Sequence, residues 1–482
     1  MDNLLIITNE GKQTSLDEKT VSAFKSTLNG NLILPGDEPY NQERLVWNGM
    51  IDKRPAMIVN CADERDVIKS VNFARSHNLV MAVRGGGHNV AGLGTCEGGL
   101  VINLSGMNEV TVDPEQRFVS VSGGATWADV DRETQAFGLA TPGGVVSDTG
   151  VGGLTLGGGY GHLRNKYGLS CDNLLAAEVV TADGKKIRAS ESTNPELLWG
   201  LRGGGGNFGV VTRFEFRLFP LGPEVYMCLV FHPADQTEKA VRFFRQYTQD
   251  APDEVSALLF SGIIPEGAEG FPADLFNQPF LAFMAVYAGD PEKGELILEP
   301  LRKFDEPLLD FSGTRSYVNV QSILDEDYPS HKMRYYWKSL NLQDLPDKAA
   351  AVFAEHASRQ PSDYSTSDLW HVGRGVKRYG SEHGAFNGRQ ADYLLNPEAN
   401  WLNEADDRAN IAWVRSFLDA MKPFSAGGLY LNFAGFQEEG EAMMKSAYSN
   451  HYKRLAAIKH QYDPHNLFRL NQNIKPTDSR KS

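Results

Sequence analysis

"VRGGGHNVAGLGT", residues Val83–Thr95, decides how the rest of the chain is read. Three consecutive glycines remove every Cβ from a short loop, so main chain there can wrap a ligand closely. Successive amides in such a loop form a nest for an anion, most often a phosphate. The histidine that follows, His88, is not something a phosphate loop requires. Upstream, "DERDVIKSVNFARSHN" (Asp63–Asn78) has the pattern of an amphipathic helix capped by Asp63, with Val67, Val71 and Ala74 on one face. "LVMAV" (Leu79–Val83) is a short apolar run, a buried strand that delivers the chain into the loop.

Downstream, "GLVINL" and "FVSVSGG" read as strands bracketing "NEVTVDPEQR" with its turn residues. "TWADVDRETQAFG" predicts a helix with Thr126 and Asp129 as a capping pair and Gly138 as its stop. "AAEVVTADGKKIRAS" predicts a hairpin turning at Asp183-Gly184. Asp63–Pro220 is thus a mixed α+β unit, dense in glycine. From Glu224 onward, "VYMCLVF", "PFLAFMAVYAG" and "GGLYLNFAGF" read as strands, with helices at "PDKAAAVFAEHASRQ" and "NIAWVRSFLDAM". A larger antiparallel sheet with helices on one side is expected. The tail beginning "EAMMKSAYSNHYKRLAAIKHQ" predicts one long helix ended by Asp463-Pro464, then a short return.

The bulk properties narrow the function. A chain of 482 residues has room for two or three domains. With 47 basic and 61 acidic residues its formal charge is −14, which argues against nucleic acid or anionic lipid as a partner. No run approaches the ~20 apolar residues of a membrane span, and the N-terminus lacks a signal peptide's basic region. Four cysteines without a C-x-x-C pair suggest reduced thiols and a cytoplasmic protein. No cluster has metal-ligand spacing, so no metal is expected.

Four glycine clusters stand in the first half. In "GGGGNFG", Gly204, Gly206 and Gly209 satisfy G-x-G-x-x-G, but the motif follows the helix-like "NPELLWGLR" and opens a strand, the reverse of a dinucleotide fingerprint. "GLTLGGGYGHL" lacks the Lys of a P-loop, and "TPGGVVSDTGVGG" completes the set. Four clusters in one unit suggest a long ligand lying along exposed main chain.

"RGGGHN" (Arg84–Asn89), "GVGGLTLGGGYG" (Gly150–Gly161), "KYGLSCDNL" (Lys166–Leu174), "LLWGLRGGGGNFGVVT" (Leu197–Thr212) and "YDPHNLFRLNQNI" (Tyr462–Ile474) occur in that order. Together they resemble the FAD-linked oxidases of the vanillyl-alcohol-oxidase type, in the berberine-bridge-enzyme-like branch, from about Asn41 to Pro476. The resemblance implies an α+β fold with a two-part FAD-binding domain of the PCMH type. That domain would span residues 1–220 (core about 53–220), with a substrate domain at 221–439 and a return at 440–478.

It also implies FAD bonded covalently to His88 and to Cys171 of "GLSCDN". Around the cofactor it places Arg84, Gly85, Gly86, Gly87, Asn89, Gly150, Gly152, Gly153, Gly158, Val211 and Asn473. The phosphates would lie on the amides of Gly85–His88 and those near Gly150 and Gly153, with a positive φ expected at Gly86. Tyr430 in the Y-x-N element of "GGLYLNF" would be the base, sharing a strand face with Asn432. Asn471 is taken as structural, Cys96 as a small buried hydrophobe, Tyr448 and Tyr452 as packing, and His162 as facing solvent. "YYWKS" (Tyr335–Ser339) lines either the pocket or the core.

The expected chemistry is hydride removal from an alcohol and reoxidation by dioxygen, giving hydrogen peroxide. A sugar hemiacetal oxidised at C1 is the first substrate class, a secondary alcohol the second and an amine the third. A flavin-binding protein without turnover is the alternative of another kind.

Overall fold

The computed structural model describes residues 3–436 and 438–477. Strands Met57–Asn60, Leu100–Asn103 and Met81–Arg84 pair in parallel, and Asn31–Ile33 closes one edge antiparallel. Parallel strands need covered faces. The helix Glu64–Ser76 provides one cover, capped as expected by Asp63, whose carboxylate accepts from the amides of Arg65 and Asp66. Its Val67, Val71 and Ala74 are fully buried.

A second sheet of five antiparallel strands runs in the order Lys186–Ser190, Leu174–Val180, Val210–Arg217, Phe118–Ser122, Val110–Asp113. The hairpin at Asp183-Gly184 is present, with Gly184 at φ +77°. Val110–Asp113 corrects the sequence expectation of a turn region: it is a strand paired with Phe118–Ser122, and the reversal is confined to the residues between them, where Arg117 takes φ +54°. Helix Trp127–Gln135 has the Thr126/Asp129 capping box.

The largest sheet has nine strands, every pair antiparallel, with Glu224–Pro233, Pro279–Tyr287, Val255–Ile263, Thr366–His371 and Tyr393–Trp401 side by side. Its strands are apolar on both faces because both are covered. Cys228 and Val230 point to one face with Phe283, where helices Thr237–Asp250, Asp347–Ala357 and Asp407–Met421 pack. Met227, Leu229 and Phe231 point to the other, toward Tyr160, Cys171 and Tyr430. Side chains alternate across a strand, so one run of sequence builds two cores.

Two tail expectations change. The long helix is two, Gly440–Tyr448 and Tyr452–Tyr462, with Ser449 at φ +47° between them. The Tyr448 hydroxyl donates to the Gly203 carbonyl (3.0 Å) and the His451 ring meets the Ala385 carbonyl (3.0 Å), so the two sides of the break are held by different partners. "GGLYLNF" is not a strand: Tyr430 is extended and Leu431–Phe433 form a 3₁₀ turn. Ser339 takes the place of a ladder partner, accepting from the Tyr430 amide (2.9 Å) and donating to the carbonyls of Tyr430 (3.1 Å) and Phe433 (3.2 Å). Among the described residues no helix is long and apolar enough to cross a membrane.

Candidate active site

A cavity of about 910 Å³ lies between the glycine loops and the face of the nine-stranded sheet that carries Leu229 and Phe231. Gly85–Asn89 form one wall, Gly150, Gly152 and Gly153 a second, and Gly206, Gly209 and Val211 a third. Gly86–Asn89 lie outside regular structure, and none of their amides reaches an acceptor among the described residues. These residues are exposed or half-buried, so their amides are open to a guest. A Cβ on Gly153 or Gly206 would meet nothing within 4 Å, so both glycines face open space. Free amides along glycine walls fit the phosphates of a dinucleotide such as FAD.

Gly86 carries its constraint differently from the expectation. Its φ is not positive; Gly87 has that conformation, at +75°. Gly86 must be glycine because a Cβ would sit 2.4 Å from the Gly150 amide nitrogen and 2.7 Å from its Cα. The two loops touch backbone to backbone.

Arg84 supports the loop from behind, donating to the Asn103 side chain (3.3 Å) and the Leu45 carbonyl (3.1 Å). Asn89 accepts from the Leu93 amide (3.2 Å) and closes the following turn. The His88 ring stacks on Trp47 with centroids 5.2 Å apart. Its Nε2 lies 2.9 Å from Asp148 Oδ1, and its Nδ1 is 3.4 Å from the Thr149 hydroxyl. Burial would raise the Asp148 carboxyl, but His88 and Ser330 outweigh it and hold it below its usual value. With Nε2 paired to a carboxylate, Nδ1 keeps the longer and weaker contact, to the Thr149 hydroxyl.

The structure does not put every expected residue on the cavity wall. Cys171 is fully buried beside Tyr160, Leu163 and Leu169, behind the Gly158–Tyr160 loop. Burial pushes its thiol well up and Asp172 adds to this, while the guanidinium groups of Arg389 and Arg202 pull it down. Gly158 lies off the wall, which its neighbour Gly157 lines, and Asn471 and Gln472 line it instead of Asn473. Asn207 explains the last shift. Its amide donates to the Gln472 carbonyl (3.0 Å) and its oxygen accepts from the Ile474 amide (2.9 Å), which sets how the returning segment passes the cavity.

His162 is a correction: it is 4% exposed, and burial followed by Arg164 takes its imidazole down to about 3, so it is neutral and faces protein. Cys96 is buried, its thiol pushed up to about 12. In "YYWKS", Tyr335 is core and Trp337 lines the cavity.

At the far wall the Tyr430 hydroxyl oxygen accepts from the Asn432 amide (2.7 Å), the Gly159 N–H (3.0 Å) and the Tyr160 N–H (3.3 Å). Asn432 also donates to the Leu154 carbonyl (3.1 Å), and Gly157 leaves the room for it. Burial raises Tyr430 to about 12 against the pull of these donors. Tyr160 meets the Tyr430 ring edge-on at 4.9 Å. Sequence reasoning missed Asp148, Trp47 and Tyr160. Asp148 and Tyr160 sit inside the glycine motifs, which was their only signal; Trp47 had none.

An FAD binding domain model matches residues 55–190, and a "berberine and berberine like" model matches 429–475. An FAD-linked oxidoreductase of Dictyostelium discoideum is 30% identical over 97% of this chain and 99% of its own length. The (R)-6-hydroxynicotine oxidase of Paenarthrobacter nicotinovorans is 30% identical over 94% and 98%. The chain belongs to the berberine-bridge-enzyme-like family of FAD-linked oxidoreductases. Its fold matches the crystal structure of 6-hydroxy-D-nicotine oxidase from Arthrobacter nicotinovorans with a TM-score of 0.84, at 28% identity over 93% of this chain and 98% of that one. Glucooligosaccharide oxidase from Acremonium strictum, which carries a 6-S-cysteinyl, 8α-N1-histidyl FAD, matches equally (TM-score 0.84) at 21% identity over 95% and 99%.

Proposed function

We propose that the protein is an oxidase that takes a hydride from a carbon bearing a hydroxyl or amino group, with dioxygen as final acceptor and hydrogen peroxide as product. Bound FAD supplies the hydride acceptor. The amides of Gly86–Asn89 would hold its phosphates, and His88 would hold the flavin covalently through Nδ1, the nitrogen that Asp148 does not engage. Cys171 is the second tether. Arg389 and Arg202 support its thiolate, and attachment requires the Gly158–Tyr160 loop to let the sulfur through.

The observation that carries the reading is the Tyr430 oxygen with its three N–H donors. A neutral phenol has two lone pairs and a proton to place, so three donors suit the phenolate better. Tyr430 therefore accepts the substrate's proton from its O–H or N–H group, and Asn432 and the Gly159 amide stabilise the charge that results.

The sequence ranked a sugar C1 first and an amine third. The cavity favours the amine: Phe231, Phe260 and Phe280 on the sheet and Phe271 and Phe311 from loops line it, and an acid pair, Asp368 and Glu398, begins directly across from Phe260. The likeness to 6-hydroxynicotine oxidase over nearly the whole chain points the same way.

The test is flavin reduction without oxygen by a panel of sugars, alcohols and amines, in wild type and Tyr430→Phe. Flavin content stays the same while the variant reduces about 10²–10⁴-fold more slowly. Because Tyr430 sits near 12, the phenolate fraction grows as pH rises, so the wild-type rate climbs into the alkaline range while the variant profile is flat. Equal rates would move the base elsewhere, and a wild type reduced by nothing in the panel would make this a flavin-binding protein without turnover.

A further inference from the structure

On the sheet wall, Thr366 faces Glu398 and Asp368 faces Asn396 across adjacent strands, so Asp368 and Glu398 are diagonal neighbours on one face. Both line the cavity, and both are almost completely buried, at 3% and 2% exposure. Glu398 accepts from the Tyr328 hydroxyl (2.8 Å) and from the Asn396 amide. The Thr366 hydroxyl and the Trp370 indole N–H, on the same strand as Asp368, draw its carboxyl down against burial without meeting it in well-formed hydrogen bonds. Among the described residues, no Lys, Arg or His pairs with either carboxyl. Arg315 also lines the cavity, but its guanidinium donates to the Phe311 carbonyl (3.0 Å) and does not shift either acid.

Two buried carboxyls on one face of a sheet do not both ionise freely: burial raises both, and Asp368 raises Glu398 further, so any negative charge the pair takes on is held without a protein cation. A buried, uncompensated charge is costly, and a ligand cation removes the cost. A neutral hydroxyl could hydrogen-bond there but would leave the charge in place. The rest of the cavity carries the same sign: besides the pair, five acidic side chains and two arginines line it among the described residues. Such a potential draws cations in. Directly across from Asp368 on the next strand is Phe260, which Phe231 meets edge-on at 6.1 Å; Phe231 in turn stands edge-on to Phe271 and Phe280 at 5.0 Å each, a wall suited to an apolar ring.

We propose that Asp368 and Glu398 are the recognition site for an ammonium group on an otherwise apolar, ring-sized substrate. This names the substrate class within the oxidase reading above and rests on it. The substrate nitrogen is held on the sheet wall, and the ring lies on the phenylalanines.

The experiment measures equilibrium binding to the flavin-loaded protein of two isosteric probes, cumylamine and 2-phenylpropan-2-ol, with cellobiose as a third. None of the first two has a hydrogen on the carbon bearing N or O, so neither can be oxidised there, and failure of the oxidase reading cannot be mistaken for failure of this one. The expected result at pH 7 is that the ammonium binds at least about tenfold tighter than the alcohol. In Asp368→Asn and in Glu398→Gln the preference falls below about threefold, with flavin loading unchanged. An alcohol as tight as the ammonium, cellobiose as the tightest ligand, or a preference that survives in both variants would overturn the proposal. If one variant fails to load flavin, the wild-type ratio and the other variant decide.

Discussion

Asp148 is the residue whose role was least visible beforehand. If His88 attaches the flavin through Nδ1, the carboxylate on Nε2 keeps that nitrogen's lone pair free and leaves the ring oriented by Trp47. Acid-denatured wild type is then expected to stay yellow, with an intact mass one FAD above the polypeptide. His88→Ala or Cys171→Ala alone keeps the flavin attached through the other residue, and Asp148→Asn slows attachment at His88 while leaving the fold intact. Release of all flavin from either single variant would defeat the double tether. Gly86→Val tests the loop contact. A Cβ 2.4 Å from the Gly150 nitrogen cannot be relieved by a rotamer change, so this variant loses at least about 1–3 kcal/mol and most of its flavin. Normal loading would show that the Gly86 and Gly150 loops separate without cost.

Among the elements, the helix Tyr452–Tyr462 and the segment after it depend on one buried cation. Lys459 is wholly inaccessible, and its ammonium donates to Asp463 (2.6 Å) and to the carbonyls of Asn207 (2.8 Å) and Phe468 (3.0 Å). Asp463 in turn accepts from the amides of Leu467 (2.7 Å) and Phe468 (2.8 Å). The cluster turns the chain back toward the cavity, where Asn207 receives it. Removing one partner of a buried pair typically costs about 3–5 kcal/mol. Lys459→Met should lower the urea midpoint accordingly and expose residues 464–477 to protease in the native state. Unchanged stability would mean that apolar packing alone holds the return.

For the whole molecule, Asp131 on helix Trp127–Gln135 meets Gln321 on the short helix Tyr317–Gln321, joining the first half of the chain to the large-sheet half. It is 1% exposed, its one partner among the described residues is the Gln321 side-chain amide (3.0 Å), and burial lifts it to about 7. The unfolded carboxyl ionises near its ordinary value while the folded one keeps its proton. Stability is therefore lost progressively as pH rises from about 4 to about 7, and the whole penalty is present above that. Asp131→Asn, which preserves the acceptor for Gln321, should raise the melting temperature at pH 8 and leave it unchanged at pH 4. An equal effect at both would assign the change to packing rather than ionisation.

Local signals were legible wherever neighbouring residues settle the geometry. The Asp63 and Thr126 caps, the Asp183-Gly184 hairpin and the glycine loop before His88 depend on contacts a few residues apart, and the sequence by itself determined them. The family, too, followed from five ordered motifs. Tertiary structure decided whatever rests on distant partners. Ser339 turned "GGLYLNF" away from a strand, and Asn207 put Asn471 and Gln472 at the cavity in place of Asn473. Gly86 is constrained by Gly150 across space, not by its own φ, and His162 is buried by packing that no local pattern encodes. Asp368 and Glu398 are thirty positions apart and became a pair only because their strands adjoin in register. Hydrogen bonding to near neighbours is written in the order of residues; burial and shared charge belong to surfaces that meet only after folding.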